Sequence, residues 1–266
     1  MRIATWNVNS LKARLPRVEQ WLAEAEPDIL CLQETKLADD AFPQLTFGAL
    51  GYESVHHGQG RWNGVAILSK VGIENVTSGI GADDSYLGDA RVIGATCGGV
   101  RVFSVYVPNG REVATEFYDR KLLWLDQLRE YLTATTSPTD LTAVLGDFNV
   151  APEDKDVWSV KAFEGATHVT PAERGALERL RDAGFVDAFR ARYDQPKLYS
   201  YWDYRQGAFH QHRGMRIDLV YMTAPLVARM TWALIDRNGR KGTGPSDHTP
   251  VFVDVDISGA PAPVST

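Results

Sequence analysis

Short apolar runs recur along the whole chain and set its architecture. RIATWNV (2–8), DILCLQE (28–34), GVAILSK (64–70) and RVIGATC (91–97) read as strands in the first half. RVFSVYV (101–107), LTAVLGD (141–147), RIDLVYM (216–222) and PVFVDVD (250–256) read as strands in the second. Between the first two, Leu11, Leu15, Val18, Leu22 and Ala25 fall at helical spacing. A second helix is expected over about 114–133, packing through Phe117, Trp124, Leu125, Leu128 and Leu132. A third opens at Thr170-Pro171-Ala172-Glu173, a capping box with proline at the first helical position, and Gly184 can end it. Many strands with few helices imply a layered α/β or α+β domain. With no repeat and no linker, one domain over 1–257 is expected, and the small polar tail SGAPAPVST (258–266) is expected to fray.

Composition narrows this picture only a little. At 266 residues with 44% apolar and 23% charged residues, the chain can build a sizeable core without staples. MRIATWNVN carries no basic segment followed by an apolar signal core, and no apolar run approaches bilayer length. A soluble, cytoplasmic protein without a membrane partner is therefore expected. Cys31 and Cys97 have no metal-type spacing, and Cys31 lies inside an apolar run, so a disulfide framework is not expected. A net charge of −6 weighs mildly against a protein that coats nucleic acid, although basic loops can still carry phosphate contacts.

Polar residues stand in or just beyond most of the apolar runs. Asn7 and Asn9 lie two apart, as do Asp147 and Asn149, so an extended chain points each pair the same way. Glu34 ends its run, Tyr106 and Asn109 flank a turn, Asp218 interrupts RIDLVYM, and Asp247-His248 precedes the last strand. Singly, each reads as a turn former or cap. Together they gather ionisable groups beside buried strands, which costs free energy unless they are paired, hydrogen-bonded or on a metal.

The ordered segments WNVNSLKAR (6–14), LCLQETK (30–36), WNGVAILSK (62–70), YVPNG (106–110), LGDFNVAPEDKDVW (145–158), YWDYR (201–205), RGMRIDLVY (213–221) and PSDHTPV (245–251) cover nearly the whole chain. With them the sequence resembles the exonuclease III / apurinic endonuclease family of the DNase I-like superfamily. The resemblance implies a four-layer αββα sandwich with two mainly antiparallel sheets and a site at one end of them. It also implies hydrolysis of a phosphodiester by water, assisted by Mg²⁺ or Mn²⁺, whose preference for hard oxygen ligands suits carboxylates.

By that resemblance Glu34 is the main metal carboxylate, with Asn7 beside the metal and Asp247 close to it. Some relatives have an aspartate where this chain has Asn9, and a neutral amide attracts a cation less. Asp147 positions or deprotonates the water, with Asn149, Tyr106 and Asn109 on the phosphate. His248, paired with Asp218, either holds a phosphate oxygen as an imidazolium or serves as the base. The implied substrate is double-stranded DNA with abasic or 3′-blocked sites, met by a monomer. Tyr201, Trp202, Met215 and Ile217 would form or border a pocket for an extruded abasic sugar. Arg213 and Arg216, with Arg205, Arg237, Arg240 and Lys241, are candidates for phosphate contacts, and His56-His57 reads as a loop pair. The alternatives are another phosphodiesterase or phosphatase of the superfamily, or a catalytically silent DNA-binding relative. YWDYR and RGMRIDLVY favour the repair branch.

Overall fold

A computed structural model of the chain describes residues 1–81 and 89–258. The first half runs β1 (Arg2–Asn7), α1 (Leu11–Ala25), β2 (Ile29–Gln33), α2 (Gln44–Ala49), β3 (Glu53–His57) and β4 (Val65–Ser69). It continues through β5 (Glu74–Ser78), β6 (Val92–Cys97), β7 (Val100–Tyr106), α3 (Glu116–Thr135), β8 (Thr142–Asp147) and α4 (Pro171–Asp182). The last stretch holds β9 (Phe185–Asp187), α5 (Ala188–Arg192), β10 (Asp218–Thr223), α6 (Ala224–Val227), β11 (Met230–Ile235) and β12 (Val251–Val255). All eight apolar runs contain strands. The expected tail, 258–266, lies outside the described residues apart from Ser258.

The strands form two six-stranded sheets, ordered β11-β12-β1-β2-β4-β3 and β5-β6-β7-β8-β10-β9. Only β1–β2 and β7–β8 pair in parallel among the described residues. Ile3, Ile29, Cys31 and Ile67 of the first sheet meet Ile93, Val102, Leu145 and Val220 of the second in one buried layer. The outer face of the first sheet is covered by α1 through Leu11, Val18, Trp21 and Leu22. The outer face of the second is covered by α3 and α4 through Trp124, Leu128, Leu132, Leu177 and Leu180. Central strands are thus buried on both faces, which explains why ILCLQ and VAILS read as continuous apolar runs. The expected αββα sandwich is borne out.

Local signals hold at the ends of α4. Thr170 Oγ1 accepts from the Glu173 backbone N–H while Glu173 Oε2 accepts from the Thr170 N–H, and Gly184 (φ 101°) follows the last turn. Two expectations need correction. Phe117 lies off the packing face of α3 and is exposed. The buried stripe runs instead through Tyr118, Lys121, Trp124, Leu125, Leu128 and Leu132. His56 and His57 are not in a loop but end β3, where His56 Nδ1 lies 2.8 Å from Asp39 Oδ1 and Nε2 lies 2.8 Å from Thr35 Oγ1.

Register brings the polar strand ends together. Tyr106, Asp147 and Asp218 stand side by side across β7, β8 and β10, while Asn7 pairs with Gln33 across β1 and β2. A β-carbon on Gly146 would sit 1.8 Å from the Val105 carbonyl oxygen, so only glycine lets β8 lie this close to β7 just before Asp147. Beneath this end, Gln33 Nε2 donates to Ser104 Oγ (3.0 Å) and links the two sheets through the core.

The loop before β10 is anchored by a buried ion cluster. Arg216 Nε donates to Asp156 Oδ1 (2.7 Å), and its Nη2 donates to Asp156 Oδ2 (3.0 Å) and Asp187 Oδ2 (2.8 Å). Arg190 also pairs with Asp156. Burial works against the guanidinium, yet the two carboxylates hold its pKa above the ordinary value. Arg216 is only 1% exposed, so the reading of it as a DNA contact is corrected: its donors are already committed to Asp156 and Asp187. Arg216→Met should therefore destabilise the fold by about 3–5 kcal/mol, because it leaves two buried carboxylates short of their partner. Urea denaturation checks this. Unchanged stability with weakened DNA binding would return Arg216 to the surface role.

Candidate active site

Asn7 lies at the end of β1 with its amide between two carboxylates. Its Nδ2 donates to Glu34 Oε1 and to Asp147 Oδ2, both at 2.9 Å, and its Oδ1 accepts from the Asn9 backbone N–H (2.9 Å). Those partners fix the amide's orientation: the oxygen faces a donor and the nitrogen faces two acceptors. Asn7 therefore turns N–H, not oxygen, toward the acidic group. From there it spaces the two carboxylates. Glu34 and Lys36 both adopt positive φ (52° and 53°), so the chain doubles back after β2. This turn brings Lys36 Nζ to 2.9 Å from Glu34 Oε2 and 2.6 Å from Asn9 Oδ1. Burial opposes the Glu34 carboxylate, but Lys36 and Asn7 hold its pKa below the ordinary value.

Asp147 accepts three hydrogen bonds from the protein and keeps acceptor capacity on Oδ1. Oδ1 accepts from the Asn149 backbone N–H (2.9 Å), and Oδ2 accepts from Asn7 and from Asn149 Nδ2 (3.2 Å). Asn109 Nδ2 in turn donates to Asn149 Oδ1 (3.1 Å), so the two expected phosphate contacts share one amide chain. Tyr106 borders the same carboxylates. Burial, then the Glu34 charge, raises its hydroxyl well above the usual range, while Arg91 lies over its ring at 4.7 Å.

His248 faces Asp147 from the other side. Its Nδ1 is 2.8 Å from Asp218 Oδ2, and its Nε2 is 3.7 Å from Asp147 Oδ2. Burial disfavours the imidazolium, but Asp218 and Asp147 outweigh it and lift the histidine to about 10. Burial pushes Asp147 up to about 7; His248 opposes that rise, and Asp218 and Glu34 add to it. The carboxylates thus favour a protonated imidazole while burial raises the proton affinity of Asp147, a pairing suited to acid–base work on an oxygen substrate.

Glu34, Asp147 and His248 offer ligand atoms that all lie within 4.8 Å of one another. A histidine held as imidazolium has no free lone pair, so the donors left are two hard carboxylates. That set fits a divalent cation of the Mg²⁺ type, which binds through one or two carboxylates and keeps several waters. Asp247 lies outside the trio; its Oδ1 accepts from Asn9 Nδ2 (3.0 Å).

Beside His248 opens a pocket of about 540 Å³, whose lining includes Tyr201, Met215 and Arg213. The Tyr201 ring lies 4.8 Å from the His248 ring. Trp202 and Ile217 are not in its lining but border it from the layer beneath. Trp202 is fully buried against Phe209, and Ile217 packs under the wall with Ala151, Val157 and Met215. Arg240 is also turned inward, donating to the Trp202 carbonyl (3.3 Å). Trp158, Phe163 and His168 line the pocket without having been singled out. Lys36 and Lys121 were missed as well. The signal for Lys121 was available, since a lysine one turn before Trp124 and Leu125 sits on an apolar stripe.

The residues 4–248 match the model of the endonuclease/exonuclease/phosphatase family. The chain is 32% identical to the exodeoxyribonuclease III of Haemophilus influenzae, over 96% of this chain and 99% of the relative. Among solved structures it is similar to an AP endonuclease from Archaeoglobus fulgidus, with TM-score 0.93 and 37% identity over 97% of this chain and all of that one. It is also similar to a 3′ phosphatase from Neisseria bound to product DNA hairpin, with TM-score 0.92 and 36% identity over 96% and 99% of the two chains. The expected resemblance and the expected class, a hydrolytic nuclease, are borne out by these relatives. With family match, fold and strand-end constellation in agreement, the chain belongs to the endonuclease/exonuclease/phosphatase family.

Proposed function

We propose that residues 1–257 form one catalytic unit, a divalent-metal-dependent DNA repair nuclease. It hydrolyses the phosphodiester on the 5′ side of abasic sites and also works at 3′ ends, removing nucleotides and 3′ blocks. The observation that carries this reading is the buried meeting of Glu34 and Asp147 from different sheets, bridged by Asn7 and faced by the Asp218–His248 pair. The AP endonuclease and 3′ phosphatase likenesses support both kinds of substrate. The two buried, unpaired cysteines accord with a reducing compartment, and we take the enzyme to act there, in the cytoplasm, as a monomer.

In this reading Glu34 and Asp147 hold Mg²⁺ or Mn²⁺, with Asn7 keeping the two carboxylates apart and Asp247 supporting the site through Asn9. When bound, the cation offsets negative charge growing on the phosphate. Asp147 orients the attacking water and takes its proton, and its two Asn149 contacts hold the carboxylate in place. Asn109, Asn149 and Tyr106 present amide and hydroxyl groups to the phosphate. His248, charged through Asp218, donates from Nε2 to a phosphate oxygen as charge develops. An abasic nucleotide loses little stacking when it swings out, so the pocket beside His248 receives its sugar. Arg213 at the pocket rim contacts strand phosphate.

The primary test is nicking of an abasic duplex compared with the intact duplex, with Mg²⁺ and with EDTA. Metal-dependent nicking confined to the abasic strand supports the reading, and absence of nicking with Mg²⁺ or Mn²⁺ rejects it. Asp147→Asn should lower turnover by about 10²–10⁴-fold while DNA binding persists, and Glu34→Ala should raise the Mg²⁺ concentration needed for half activity. Single-turnover rates over a metal titration measure both, and near wild-type turnover by Asp147→Asn would remove Asp147 from the mechanism.

Asp218→Asn and His248→Asn should each slow cleavage, with the double variant little worse than the slower single. Residues that act as one unit lose function non-additively. A double-mutant cycle on nicking rate reads this, and fully multiplicative losses would count against a coupled pair. Met215→Ala and Tyr201→Ala should erode the preference for abasic over intact duplex by about 10-fold or more, a larger effect than on abasic cleavage itself. If both folded variants keep the wild-type preference, the sugar is received elsewhere.

A further inference from the structure

Lys121 is buried completely, on the packing face of α3, where burial lowers its pKa and the adjoining Glu173 carboxylate opposes that fall. Burying an ammonium is costly unless its protons are all used. Here Nζ lies 2.5 Å from Glu173 Oε1, 2.7 Å from the Asn149 carbonyl oxygen, and 3.2 Å from both the Asn109 carbonyl oxygen and Thr167 Oγ1. The two carbonyls belong to the same residues whose side chains form the amide chain onto Asp147. The lysine therefore grips, from behind, the backbone of both asparagines whose side chains face the site.

Other features converge on the same grip. Asn149 adopts φ 50°, a left-handed conformation that must be held by its surroundings, and its carbonyl oxygen also lies 2.5 Å from His168 Nδ1. A carbonyl only accepts, so that ring nitrogen carries the proton. Gly110, next to Asn109, has φ 84°, and a β-carbon there would come within 2.8 Å of Lys121 Cδ, so the chain is folded directly onto the lysine stem. Glu173 is committed from several sides. Its Oε1 also accepts from Thr167 Oγ1 (2.6 Å) and the His168 N–H (2.9 Å), while Oε2 closes the capping box of α4. The carboxylate thus fixes the lysine to the start of α4, and the lysine fixes the two carbonyls.

We propose that Lys121, braced by Glu173, is a positioning residue of the hydrolytic site: its contacts with the Asn109 and Asn149 carbonyls set the amides that orient Asp147. This rests on the nuclease reading for its kinetic consequence, although the clasp itself does not. Without Lys121 the Asn149 carbonyl keeps only His168, which loosens its peptide and lets the side-chain N–H drift from Asp147 Oδ2. The carboxylate loses one of its fixed partners at the position where water must be held. Misplacement of this kind, remote from the reacting atoms, slows the chemical step more than it weakens binding.

The test separates positioning from stability. Lys121→Met alone leaves Glu173 charged and buried, so it should lower both Tm and rate. Lys121→Met combined with Glu173→Gln removes both charges and keeps an acceptor for the capping box, so Tm should recover. In that folded double variant kcat on abasic duplex should stay lower by about 10–10²-fold, with KM changed far less. A double variant with recovered Tm and wild-type kcat would overturn the proposal. If the double variant does not fold, Lys121→Arg decides. It keeps a charge beside Glu173 but cannot place a point donor between two carbonyls, so wild-type kcat in a folded Lys121→Arg overturns the proposal and a selective fall in kcat supports it. In parallel, selective ¹⁵N-asparagine labelling reads the side-chain amides of Asn109 and Asn149 without any turnover. Their protons should exchange faster in the folded variant, and unchanged exchange would overturn the clasp. A wild type that fails to cleave abasic DNA would reject the nuclease reading alone and leave the amide spectrum to decide this one.

Discussion

The amide nitrogen of Asn7 lies between carboxylates that arrive on different sheets, Glu34 after β2 and Asp147 at the end of β8, and the site depends on keeping those two charges side by side. Adjacent carboxylates repel, and burial strengthens the repulsion. Asn7 gives each one an N–H, Lys36 gives Glu34 a cation, and His248 stands against Asp147 with Asp218 behind it. With Asp147 ionised, the carboxylates of Glu34, Asp147, Asp218 and Asp247 still outnumber the cations of Lys36 and His248 by two. A divalent cation would match that deficit, which gives the proposed metal dependence an electrostatic reason beyond the identity of the ligands.

Much of this was legible because buried strands leave a strong signal and the candidate catalytic groups end them. The runs around Ile3, Ile29, Val65, Leu145 and Val220 are continuous since their strands are covered on both faces. What escaped were the edges. ENVTS of β5 is exposed throughout, and ESVHH of β3 and MTWALI of β11 show no run of fully buried positions, so no hydrophobic pattern marks them. Tertiary pairing with a neighbour makes these segments strands.

Charged residues were the harder part of the site to read. Arg216 and Arg213 stand three apart in RGMRIDLVY, yet one is enclosed between Asp156 and Asp187 and the other lines the pocket. The partners of Arg216 lie 60 and 29 residues away in the chain, a separation that local reading cannot bridge. Lys121 hid for the converse reason. A lysine in a helix normally extends to water, and only the fold shows that its stem is covered by Gly110 and its ammonium enclosed by carbonyls. Trp202 and Ile217 belong to the correct region but to the layer beneath the pocket surface, a difference of depth that sequence order does not record.

The pairing of β1 with β12 sets residues 2–5 against 251–254, so that Asn7 and His248 reach one site although 241 positions separate them. During synthesis this order has a consequence. β1 can pair with β2 once both are made, but its other edge stays unsatisfied until β12 has left the ribosome. Until then the nascent chain lacks the imidazole and its neighbour Asp247, and holds Glu34 and Asp147 without their full set of counter-charges. The constellation is therefore complete only once β12 closes the free edge of β1, which makes it a site built by long-range pairing.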